Sequence, residues 1–195
     1  MKRLDELSPV AHRILDAAEQ LIQQNGYNGF SYDDISRQVG LKKPSIHHHF
    51  QTKSGLVSMV VERYTFRFKN LLEEIDLKNL SAVDKLNGYI KLFSKTYDTN
   101  RRLCVCGMLG AESDILPQEI VIAVGQFFEL NQNWLAKIIE FGVKSKEFKL
   151  NLNPSKEALY LLSSLEGAMV VGRGVGSDDT LRDVAQTAFK SIVSG

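Results

Sequence analysis

Between Ile35 and Val61 the chain contains no aspartate or glutamate, yet it carries Arg37, Lys42, Lys43 and Lys53, with His47, His48 and His49 in a row. A block of one sign on a short segment suits contact with phosphates, because each cation placed on a nucleic-acid backbone releases a condensed counterion. A solvated basic turn has the same composition, so the block alone leaves both readings open. Three histidines also raise the question of a metal. Consecutive helical residues point about 100° apart, so three in a row cannot converge on one ion, and no metal is expected there. The histidines all lie before residue 50 and the two cysteines, Cys104 and Cys106, after 103. No nucleophile motif, phosphate loop or metal-ligand spacing joins them, so neither an enzyme nor a cofactor is expected. Two cysteines two positions apart are poorly placed for a mutual disulfide and read as reduced thiols of a cytoplasmic protein.

These residues need elements to hold them. From Pro9 the apolar positions Val10, Ile14, Ala17, Ala18, Leu21 and Ile22 recur at three and four, and Asn25-Gly26 ends the run. Ser8 is the expected N-cap, with Pro9 in the first turn. Ser31-Tyr32-Asp33-Asp34 matches a capping box and opens a short helix carrying Ile35 and Val39, which Gly40 stops. A second short helix is predicted over 43–50, with Ile46 and Phe50 on its inner face. A residue before proline is pushed out of the helical region, so Pro44 rather than Lys43 is expected to start it. Thr52 caps a long helix to about residue 75, a cap weakened by Gly55. Residues 31–50 thus read as helix, glycine-bearing turn, helix. The second helix of such a unit can lie in a major groove about 12 Å wide.

Further helices are predicted over 82–99, 103–112, 117–143, 154–173 and 178–193, started by Ser81, Pro117, Asn153-Pro154 and Ser177-Asp178-Asp179. The expected fold is all-α: an N-terminal three-helix helix-turn-helix domain, residues 1–51, and a larger C-terminal helical domain, residues 52–195. The 195 residues, 44% hydrophobic and 24% charged, suffice for a packed core. A net charge of +1 excludes a polyelectrolyte attraction to nucleic acid, so a DNA site must come from local arrangement. The charged opening Met1-Lys2-Arg3-Leu4-Asp5-Glu6 has no apolar stretch behind it and does not read as a secretory signal. No window approaches the ~18 apolar residues of a membrane span.

The segment Gly26-Tyr27-Asn28-Gly29-Phe30-Ser31-Tyr32-Asp33-Asp34-Ile35, then Val39-Gly40-Leu41, then Ser45-Ile46-His47-His48-His49-Phe50-Gln51-Thr52-Lys53, resembles the TetR/AcrR family of transcriptional regulators. The likeness covers residues 11–56; turn glycines, core apolars, cap and lysine agree in order and spacing. Lys42 stands where the family often has a capping Ser or Thr, and His47 and His49 where tyrosines that contact DNA are frequent. Carried onto these positions, Lys43, Pro44, Ser45 and His47 would face base edges. Lys42, His48, His49, Thr52 and Lys53 would hold phosphates. The resemblance implies a homodimeric, ligand-responsive regulator, most often a repressor, whose partners are a palindromic double-stranded DNA operator and a small-molecule inducer.

The larger half is expected to pair and to sense. From Ala158 to Val171 ten of fourteen residues are apolar and Glu166 is the only charge, so that helix must be covered on all sides. The next shows a stripe of Leu181, Val184, Ala185, Ala188, Phe189 and Ile192. Pairing of the helices near 154–173 and 178–193 with their twins would set two recognition helices ~34–36 Å apart; a central helix of a monomeric bundle is the alternative. Candidate inducer contacts are Tyr64, Phe93, Cys104, Met108, Phe127 and Trp134 as walls, with Tyr97, Glu112, Asn131 and Glu166 as polar groups. A thiol-based sensor using Cys104 or Cys106, its thiolate favoured by Arg101 and Arg102, is a second reading. A helical scaffold that binds no DNA is a third, and it leaves the acid-free segment unexplained.

Overall fold

The computed structural model describes residues 4–150 and 153–194; residues 1–3 of the charged opening lie outside them. Among the described residues there are nine α-helices and no strand: α1 (Pro9–Asn25), α2 (Tyr32–Val39), α3 (Lys43–His49), α4 (Lys53–Leu77), α5 (Ala82–Tyr97), α6 (Val105–Gly110), α7 (Gln118–Lys144), α8 (Pro154–Val175) and α9 (Thr180–Ser194). Short 3₁₀ turns occupy Leu4–Glu6 and Ser113–Ile115. No helix among the described residues is long and apolar enough to cross a membrane.

Local side-chain chemistry starts several of these helices. Ser8 Oγ accepts the Ala11 N–H at 3.2 Å, Ser81 Oγ the Asp84 N–H at 3.0 Å, and Asn153 Oδ1 the Lys156 N–H at 2.9 Å. Each satisfies a donor that the helix cannot pair internally. Thr52 Oγ1 accepts the Gly55 N–H at 3.1 Å, so the hydroxyl cap of α4 forms despite the glycine.

The chain packs as two compact units. The first comprises the described residues up to Arg67 together with Val105–Gln126. Its core is built on Ile14, Leu15, Ala18, Ile22, Ile35, Ile46, Leu56 and Val60, all at most 0% exposed. It also holds an unforeseen buried charge: Arg63 pairs with Asp16 at 2.8 Å and with Glu19 at 3.1 Å, bracing α4 against α1. The second comprises Phe68–Cys104 and the described residues from Phe127 onward. Leu86, Tyr89, Phe127, Leu135, Ile139, Leu161, Leu165 and Ile192 form its centre.

Two differences from the predicted spans have a local cause. The helix expected over 103–112 is α6, only six residues long, followed by the turn at Ser113–Ile115. Gly107 and Gly110 weaken it, and at its end Glu112 N–H bonds back three residues to Leu109 in place of four. At α3, Lys43 and not Pro44 is the first helical residue, with Lys42 as an N-cap that makes no side-chain bond. Proline is tolerated second because its missing N–H is one the first turn leaves unpaired anyway.

Candidate nucleic-acid interface

The α2–α3 pair is held from inside. Ser31 and Asp34 form the reciprocal capping box that the sequence predicts, the Asp34 carboxylate accepting the Ser31 N–H at 2.7 Å. These bonds, first that of the Ser31 hydroxyl, hold the Asp34 carboxyl below its usual range. Gly40 ends α2 in the left-handed region at φ 70°, a conformation that costs glycine nothing, and directs the chain into α3. Ile35, Val39, Ile46 and Phe50 are buried and Leu41 is half-buried, as the apolar pattern requires. The buried Tyr32 hydroxyl donates to the Phe50 carbonyl at 2.9 Å, tying the start of α2 to the end of α3. Arg13 donates to the Val39 carbonyl and Ser36 to that of Leu41, fixing the turn between the helices.

On this frame the polar face of α3 is turned to solvent. Lys42, Lys43, Pro44, His47, His48 and Thr52 are exposed; Ser45, His49 and Lys53 are half-buried. Lys43 Nζ pairs with Asp33 at 2.9 Å, a partner ten residues back that periodicity does not reveal. The His47 ring lies 4.6 Å from that of Tyr32, and His48 meets His49 edge-on at 5.5 Å. Among the described residues no group of three or more metal-ligating side chains is gathered. Lys53 is held differently from the others: its ammonium donates to the Phe30 carbonyl and lies 4.2 Å from the Phe30 ring centroid and 4.9 Å from that of Tyr27. Burial lowers its pKa, with Glu112 and Asp34 opposing. The arrangement presents a cationic and imidazole surface on a braced short helix, which is what entry into a groove demands.

Residues 14–60 match the family model for bacterial regulatory proteins of the tetR family. The crystal structure of a TetR-family transcriptional regulator from Agrobacterium tumefaciens superposes with a TM-score of 0.90 at 31% identity, over 94% of this chain and 97% of that one. The chain belongs to the TetR family. A TetR regulator from Legionella pneumophila is similar at 30% identity and a TM-score of 0.86, over 96% and 99% of the two chains. Among characterised relatives, the negative transcriptional regulator IcaR of the biofilm operon icaADBC of Staphylococcus aureus is 28% identical over 135 residues, 69% of this chain and 70% of IcaR. This TetR-family protein is a transcriptional regulator with an N-terminal helix-turn-helix and a larger C-terminal helical domain.

The candidate inducer contacts divide between the units. Phe93, Phe127, Asn131 and Trp134 come together in the second around Tyr89, which sequence reasoning missed. Tyr89 stacks on Trp134 at 5.6 Å and donates to Asn131 Oδ1 at 2.9 Å, while Asn131 donates to the Phe127 carbonyl at 2.8 Å. The signal available was the Leu86, Tyr89, Phe93 spacing on one face of α5. Glu166 adjoins Cys104; burial, then the neighbouring thiol, raises its carboxyl well above the usual range, and Glu166 Oε1 has no hydrogen-bond partner. Burial, Glu166 and Cys104 together raise Tyr89. Cys104 and Cys106 are buried thiols, and Arg101, expected near them, is paired with Asp178 at 2.6 Å. Tyr97 is buried and donates to the Ser177 carbonyl at 2.7 Å. Tyr64, Met108 and Glu112 lie in the first unit. The Glu112 carboxylate accepts the Tyr27 N–H at 2.5 Å.

Proposed function

We propose that this protein is a repressor that binds a palindromic operator as a homodimer and is released by a small-molecule inducer. The observation that carries the DNA reading is the exposed polar face of α3, free of acids and mounted on a frame whose apolar and hydrogen-bonding groups are spent internally. Lys43, Pro44, Ser45 and His47 would read base edges; Lys42, His48, His49, Thr52 and Lys53 would meet phosphates. The repressor assignment draws on the likeness to IcaR, a negative regulator. Residues 1–51 would be the DNA-binding part, acting in the cytoplasm, and 52–195 the regulatory part.

Pairing is supported by α8. Leu159, Tyr160, Val170, Val171 and Val175 are 50%, 46%, 55%, 57% and 68% exposed in the single chain, and nothing lies within 4 Å of a Cβ built on Gly167 or Gly174. A contiguous apolar face of this kind is a surface that a second copy would cover. The stripe of α9, by contrast, is largely consumed inside the chain through Leu181, Ala185, Ala188 and Ile192.

Sensing is supported by the polar set among the aromatic side chains of the second unit, Asn131 and Glu166. A ligand can release DNA only by favouring a conformation that misfits the operator, since equal affinity for both shifts nothing. Selection of duplexes from a random library by the purified protein tests the reading. Enrichment of one sequence, bound with an affinity that falls steeply with salt, is expected; recovery of unenriched DNA would reject it.

A further inference from the structure

The turn between α1 and α2 is closed by a side chain that lies 85 positions along the chain. Glu112 follows α6, and its carboxylate accepts the Tyr27 backbone N–H at 2.5 Å. The fit depends on the preceding residue. Gly26 has φ 75°, and a Cβ there would stand 2.8 Å from Glu112 Oε2 and 3.0 Å from its Cδ. The carboxylate thus occupies space that only glycine leaves, beside a conformation that other residues adopt with strain.

The same turn is held from one further direction. Lys53, at the start of α4, lies over the Tyr27 and Phe30 rings and feels the Glu112 charge. Glu119, at the start of α7, acts on the Tyr27 hydroxyl, which burial and then this carboxylate raise above its usual pKa. A segment outside the helix-turn-helix sequence therefore contributes an acceptor to the joint from which α2 and α3 depart.

We propose that Glu112 is a positioning residue for DNA binding: by accepting the Tyr27 N–H in the space left at Gly26, it fixes the α1–α2 turn and so the presentation of α3. The inference rests on the reading of α3 as the DNA-contacting helix. Glu112 touches no DNA in this account. It acts through backbone geometry, at the turn from which α2 and α3 depart.

The test compares two substitutions on a duplex that the wild-type protein has enriched from a random library. Glu112→Gln keeps a carbonyl acceptor for Tyr27 and drops the charge; Glu112→Ala removes the acceptor as well. Glu112→Ala is expected to bind about tenfold more weakly than Glu112→Gln. The dependence of affinity on salt should keep its slope, because no phosphate contact is lost. Amide exchange at Tyr27 should accelerate in Glu112→Ala more than at core amides of α1. Equal affinities of the two variants for the enriched duplex would overturn the proposal while leaving the DNA reading intact. A wild-type protein that enriches no duplex would overturn both. Should Glu112→Ala fail to fold, the wild-type Tyr27 amide carries the test: slow exchange supports the bond, and exchange at the free-peptide rate overturns it.

Discussion

Lys43 Nζ lies 2.9 Å from Asp33 Oδ2, so the first residue of α3 is tethered to the first turn of α2 across the helix-turn-helix. The two side chains are 48% and 63% exposed, and an ion pair in that setting contributes at most about 1 kcal/mol. It is therefore easily exchanged for a phosphate or a base edge. Asp33→Asn should free the lysine and remove a carboxylate from the DNA-facing surface, raising affinity for an enriched duplex by up to about fivefold. Lys43→Ala should lower it and relax the sequence preference at the base pair that the lysine reads. Anisotropy titrations on the enriched duplex and its single-base-pair variants read both effects. Weaker binding by Asp33→Asn would show that the pair serves DNA binding as a structural tie.

The brace between Tyr32 and Phe50 predicts a stability effect. Burial, and secondarily Tyr27, push the Tyr32 hydroxyl up to about 12, so it remains a donor at any physiological pH. Tyr32→Phe leaves the Phe50 carbonyl without this partner and should cost about 1 kcal/mol. Urea unfolding should show a lower midpoint with an unchanged m-value. An unchanged midpoint would mean that water replaces the hydroxyl without loss.

Glu166 predicts a pH dependence of opposite sense to that of a paired surface acid. Its folded pKa is raised by burial, so the folded state holds a proton that the unfolded chain has released. The protonated acid costs nothing below the unfolded pKa, and stability declines as pH rises from there toward the folded pKa. Glu166→Gln, neutral throughout, should melt higher than wild type at pH 8. With about 1 kcal/mol corresponding to roughly 2–4 °C for a chain of this size, a gain of a few degrees is expected. The gain should shrink toward pH 4, and a pH-independent difference would contradict the shift.

The parts legible in the sequence were those decided within four residues. Ser8, Ser31 with Asp34, Ser81 and Asn153 each cap a helix by bonding an N–H of its first turn, so type and spacing suffice. The buried faces of α2 and α3 followed from Ile35, Val39, Ile46 and Phe50 for the same reason. What was hidden depends on distant partners. Glu112 reads as one more polar residue until Tyr27 and Gly26 are brought against it. Asp33 gains meaning only from Lys43, beyond the turn. Arg63 offered a hint, a charge flanked by Val60, Val61 and Tyr64, but its partners Asp16 and Glu19 come from α1. Pro44 was misplaced by one residue because a rule about the residue before proline yields to the tolerance of a first helical turn.

The exposed face of α8 predicts an oligomeric effect. Val170 and Val171 are both more than half exposed and make little of the chain's own core. Val170→Glu with Val171→Glu should leave the helical content intact and convert a two-chain mass to a one-chain mass in light scattering at micromolar concentration. DNA affinity should fall sharply with it, since two half-sites can no longer be gripped at once. A wild-type protein of one-chain mass would remove this account of pairing.

Two copies of α3 reading one duplex from one side would leave a twofold footprint when the wild-type protein on its enriched duplex is probed with hydroxyl radicals. Two protected patches of inverted sequence are expected, with centres about one helical turn, roughly 34–36 Å, or a multiple of it apart. A single protected patch on a sequence without inverted symmetry would contradict it.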